Sequence, residues 1–76
     1  MTESITIRRS TAADQSAILR LAALDDRPAP KGQSALAFVC GELRVARSLE
    51  RDHTVADPFH RTDDVVSLVE QWAATA

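Results

Sequence analysis

The stretch Ala35 to Cys40 is apolar throughout, and it is short. A continuous apolar run of this length is a strand covered on both faces, not a strand with one wet side. A chain containing such a strand must supply a layer above it and a layer below it. Gly41-Glu42 closes the run with a turn, and Leu43 to Leu49 forms the returning strand. Leu43, Val45 and Leu49 are expected to face one way, with Arg44 and Ser48 opposite. Arg47 falls on the apolar side, at an edge where its head can reach water. Glu50-Arg51-Asp52 makes a second tight turn, and His53 to Ala56 a last short strand.

The covering layers come from two helical patterns. Ser4 to Arg9 alternates with a period of two and is a first strand. Thr11 then caps a helix over Ala12 to Leu24, with Asp14 in its first turn near the positive end of the dipole. Ala17, Ile18, Leu21 and Leu24 fall on its apolar stripe. Residues 25–34 hold Pro28, Pro30 and Gly32, the composition of a surface loop. Pro58 ends the last strand, and Thr62 caps a helix over Asp63 to Ala74. Val65, Val66, Val69, Trp72 and Ala73 form its apolar stripe. The expected fold is α+β, ordered β-α-β-β-β-α. An antiparallel four-stranded sheet carries helices on opposite faces, in a single domain over residues 1–76. Its core is expected to include Ile5, Ile7, Ile18, Leu21, Phe38, Val45, Val55, Val69 and Trp72.

Composition narrows the function. A chain of 76 residues with 45% hydrophobic residues can make one small globular domain. Such a domain buries only about 60% of the surface its unfolded chain exposes, so its stability is slender. A net charge of −2 argues against a nucleic-acid partner, since that binding draws on excess positive charge. No apolar run approaches the length of a membrane span. Met1 to Ile7 lacks the basic start of a signal peptide, and a single cysteine allows no internal disulfide. A cytoplasmic setting is the expectation. Cys40 itself is expected to be a packed, inert thiol.

Three segments resemble the N-terminal half of the GNAT acetyltransferase family. They are Ile5-Thr6-Ile7-Arg8 with Thr11-Ala12-Ala13-Asp14 and Ala17-Ile18; Phe38-Val39-Cys40-Gly41-Glu42-Leu43; and Val55-Ala56-Asp57-Pro58-Phe59-His60-Arg61. The resemblance implies an acetyl-CoA pyrophosphate at the start of the last helix, held by backbone N–H groups of a glycine-rich loop. Free N–H groups and the helix dipole make such a terminus an anion site. Alignment on Arg61 puts Asp64 and Val66 where that loop has its small residues. Arg61 alone remains as a cofactor-binding candidate. The second half of the family fold has no counterpart in this sequence, so the resemblance implies a GNAT-like half-domain.

Other site candidates are weaker. His53 and His60 lie seven apart across a proline and lack the partners of a closed zinc site. Glu42 and Glu50 flank a strand, as turn or edge residues. Asp63 and Asp64 suit a helix start. Ser34 and Ser48 have no hydrolase context. The expected function is therefore non-catalytic: a GNAT-like module that binds itself or another protein, with no cofactor. The alternative is an acetyl-CoA-dependent N-acetyltransferase completed by dimerisation or by a separate second half. Residues 53–57 are expected to leave an open sheet edge. Val55, Val66, Val69 and Trp72 would form the interface of a homodimer or of a complex with a protein partner.

Overall fold

Five residues of the apolar run, 35–39, join Ser34 in a strand between two others. The computed structural model describes residues 4–75. Its elements are β1 (Ile5–Arg9), a 3₁₀ turn (Ala12–Asp14) running straight into α1 (Gln15–Leu24), β2 (Ser34–Val39), β3 (Glu42–Ser48), β4 (Thr54–Ala56) and α2 (Asp63–Thr75). The strands lie in the order β1-β2-β3-β4, and every neighbouring pair is antiparallel. The fold is α+β, with a four-stranded antiparallel sheet and two helices.

Successive residues of a strand point to alternate faces, and β2 shows this in its packing. Leu36 joins Ile18, Leu21 and Ala22 of α1, together with Ala46 and Val55. Its neighbours Ala35 and Ala37 join Val65 and Val69 of α2, together with Val45. Each helix thus has its own apolar cluster, and β2 and β3 contribute to both.

Several expected core positions differ. Val45, Val55, Val69, Ile18 and Leu21 are buried as expected. Ile5 is 39% exposed, while Ile7, Phe38 and Trp72 are half-buried at the cluster margins. The reason is where the helices lie: α1 packs on β3 and β4, and α2 on β2 and β3. β1 is an outer strand, and Ile5 stands at its far end. On α1 the stripe turns earlier than expected, so Ala22 is buried and Leu24 is exposed.

Leu43 and Val45 do not face the same way. Ala37 pairs with Val45 but Phe38 pairs with Leu43, so Arg44 is an extra residue, a β-bulge. The bulge resets the alternation. Leu43 packs with the α1 cluster and Val45 with the α2 cluster.

The β2–β3 connection also departs from expectation. Cys40 and Gly41 form a two-residue hairpin with φ of 52° and 83°, the pattern of a type I′ turn. Glycine adopts it freely, whereas a cysteine with positive φ is strained. Cys40 is exposed, not packed, because this turn points it away from the sheet. Asn is favoured at that position of the turn. Cys40→Asn should therefore stabilise the fold by about 1 kcal/mol, read as a higher denaturant midpoint with unchanged slope. The native thiol should react with a thiol reagent without prior unfolding.

The edge at β4 is partly covered, where an open edge over residues 53–57 was expected. α1 ends in a Schellman-type turn, with Asp26 at φ 52° and Arg27 N–H bonded to Ala22 O at 3.1 Å. This turn delivers two side chains to the outer side of β4. Asp25 Oδ2 accepts the Ala56 N–H at 3.2 Å, and Arg27 Nη1 donates to Thr54 O at 3.3 Å. His53 Nε2 donates to Pro28 O at 2.7 Å just beyond. A covering loop is one of the ways a sheet edge is protected.

Candidate functional site

The junction of β4 and α2 gathers most of the polar side chains that sequence reasoning singled out. Asp57 follows β4, and its N–H bonds Arg44 O at 2.8 Å, closing the ladder beside the bulge. Pro58 has no N–H to continue the strand. The chain turns, and Asp57 Oδ1 accepts the Phe59 N–H at 2.8 Å, an Asx-turn. The other carboxylate oxygen, Oδ2, accepts Arg44 Nη1 at 2.8 Å and His60 Nδ1 at 3.0 Å. Arg44 Nη2 donates to Glu42 on its far side. Arg44 therefore lies between two carboxylates, with its side chain 17% exposed.

Asp57 is 4% exposed. Burial alone would raise its pKa. The Phe59 N–H, the His60 hydrogen bond and charge, and the Arg44 hydrogen bond outweigh burial and hold the carboxyl below its ordinary value. A carboxylate only accepts, so His60 carries its proton on Nδ1. Its Nε2 has no protein partner among the described residues.

The helix start agrees with its sequence signals. Val66 N–H bonds Thr62 O at 2.8 Å, which makes Thr62 the residue before the first turn. Asp63 and Asp64 occupy that turn and are exposed, where they complement the dipole. Arg61 is exposed and lines a cleft of about 350 Å³ with Val39, Cys40, Glu42, Arg44 and His60. Asp57 turns toward Arg44 and His60 rather than toward Arg61.

No protein-family model, curated protein or solved structure matches the chain. The chemistry of the junction thus rests on its own geometry. The acceptors of Asp57 and the outer donors of Arg44 are taken up within the chain. What remains toward the cleft is the His60 Nε2, the Cys40 thiol, the Arg61 guanidinium and the exposed Glu42 carboxylate, one oxygen of which takes Arg44. No group of three or more His, Cys, Asp or Glu side chains among the described residues has the spacing of a metal site.

The remaining candidates are dispersed. His53 serves the β4 edge, away from His60. Glu50 is exposed. Ser48 is buried, and its Oγ accepts the N–H groups of Glu50 and Arg51 at 3.1 and 3.0 Å, which shapes the turn after β3. Ser34 is buried opposite Ser48 in the neighbouring strand.

Of the four expected interface residues, Val55 and Val69 have no exposed surface and belong to the chain's own core. Their side chains are not offered to a partner, because α1 covers Val55 and the sheet covers Val69. Val66 and Trp72 are half-buried against the α2 cluster, with the Arg9 guanidinium 6.0 Å from the Trp72 ring centre.

Sequence reasoning had not joined Arg44 to Asp57. Pro58 marks the end of the strand in the sequence, but only the bulge aims Arg44 at Asp57. No helix of the described residues is long and apolar enough to cross a membrane.

Proposed function

We propose that the chain is a non-catalytic GNAT-like half-domain that acts as a self-association or protein-binding module in the cytoplasm. It takes no cofactor and no nucleic acid as partner. The element order, the four antiparallel strands and the separate apolar cluster of each helix support the kinship, with the helices on opposite faces of the sheet. The observation that carries the functional reading is the charge at the β4–α2 junction. Where the family resemblance expects a pyrophosphate, the chain sets Asp57 in the turn that leads to the helix and Asp63 and Asp64 in its first turn. Arg44 is engaged by Glu42 and Asp57, which leaves Arg61 as the single arginine for an anion there.

Carboxylates in the first turn take the place of a bound anion at a helix N-terminus. Acetyl-CoA should therefore bind with a dissociation constant of about 1 mM or weaker in isothermal titration, and no acetyl transfer should follow. Micromolar binding with turnover would replace this reading by the acetyltransferase completed by a second half.

A further inference from the structure

Phe59 is 74% exposed, the most exposed large apolar side chain among the described residues, and it joins neither apolar cluster. Its backbone is nevertheless braced. Pro58 before it has a fixed φ. Its own N–H is taken by Asp57 Oδ1 at 2.8 Å, and the His60 ring after it bonds Asp57 Oδ2 at 3.0 Å. A ring displayed on a braced turn gives up little freedom when it is covered, and so gains most from a partner. Between α1 and β3 lies a hollow of about 310 Å³, lined by Leu21, Leu24 and Leu43 and by Arg44 and Asp57. Apolar walls with a guanidinium among them suit an aromatic ring, whose face attracts a cation.

We propose that Phe59 of one copy enters this hollow on a second copy, whose own Phe59 enters the first, about a twofold axis. The inference rests on the self-association reading above and names its surface. Asp57 both lines the hollow and holds the Phe59 N–H, so the ring and the hollow are neighbours on one surface. Two copies can exchange neighbouring features across a twofold axis, the commonest form of homodimer, whereas distant ones would join copies head to tail. The charges are complementary. Arg20 and Glu42 also line the hollow and are exposed. Arg20 meets no carboxylate among the described residues. The segment that bears Phe59 continues with Arg61, Asp63 and Asp64, all exposed. An incoming segment thus brings carboxylates for Arg20 and a guanidinium for Glu42.

Sedimentation of the full chain tests this. An interface centred on two rings falls at the small end of specific ones, so the parent should dimerise with a dissociation constant on the order of 100 µM. Phe59→Ala should stay folded by circular dichroism, because the side chain supports neither cluster, and should weaken dimerisation by about tenfold or more. Leu24→Lys sets a charge in the hollow at an exposed position, where the helix end accepts a cation, and should weaken it similarly. The two variants mixed in equal amounts should associate about tenfold more tightly than either alone. The Leu24→Lys chain still offers Phe59, and the Phe59→Ala chain still offers the hollow; a structural role for either residue would give no such recovery. If Leu24→Lys does not fold, Phe59→Ala decides alone. A strictly monomeric parent, including one whose hollow instead takes an aromatic residue of another protein, overturns this surface and the self-association reading together. A parent dimer unmoved by Phe59→Ala, or a mixture no tighter than its components, overturns this surface alone.

Discussion

Asp57→Ala is expected to destabilise the domain by about 3–5 kcal/mol, the cost of removing one partner from a buried ion pair. Arg44 would keep Glu42 at the surface but lose its inner carboxylate, and the turn to α2 would lose its Phe59 and His60 bonds. The stability of a chain this small is on the order of 5–10 kcal/mol, so the variant should unfold in low denaturant. Asp57→Asn should cost less, because an amide oxygen can still accept the Phe59 N–H. The acid limb separates the charge from the hydrogen bond. The Asp57 carboxyl has a lower pKa folded than unfolded. Its contribution is complete above the unfolded value of about 3.9 and is lost as pH falls through the folded value. Asp57→Asn should therefore flatten the loss of stability with acid below that range. An Asp57→Ala variant within about 0.5 kcal/mol of the parent would show the cluster to be ornamental to the fold.

Leu36→Ala should cost about 2–5 kcal/mol. Leu36 is wholly buried in the middle of β2, between Ile18, Leu21 and Ala22 of α1 and the strand residues Ala46 and Val55. Both strands beside β2 are held in register, which limits how far the site can collapse around the vacancy. Phe38→Ala removes more atoms but should cost less than Leu36→Ala. Phe38 sits half-buried at the margin of the same cluster, with the Arg8 guanidinium 4.8 Å from its ring centre. Chemical denaturation of the two variants side by side gives the ordering. A more damaging Phe38→Ala would mean that the margin, not the centre, holds α1 to the sheet.

Much of the fold was legible because local signals agreed. The period of two at Ile5 and Ile7, the apolar run before Gly41, and the stripe of Val65 and Val69 each placed an element in the right order. Non-local features were not legible. Nothing in Leu43-Arg44-Val45 marks Arg44 as the supernumerary residue, because a bulge depends on the facing strand. The exposure of Ile5 follows from where the helices lie, not from its own pattern. The turn at Cys40-Gly41 was expected, but its left-handed form needs the strand pairing to define it. At the candidate site, Arg61 and the two helix-start aspartates were found by spacing. The buried hub at Asp57 was missed, because a single acid after a strand looks the same whether it faces water or an arginine from thirteen residues earlier.

The seal on β4 bears on how far any growth of this sheet can proceed. A sheet with two bare flanks can recruit chain after chain and lengthen without limit, the route to fibrils. Here Asp25 and Arg27 occupy one flank. A chain that paired with β4 would have to displace both side chains from the Ala56 N–H and the Thr54 carbonyl. The loop after α1 is therefore a guard on this flank, and loosening it should raise the tendency of the chain to grow by strand addition.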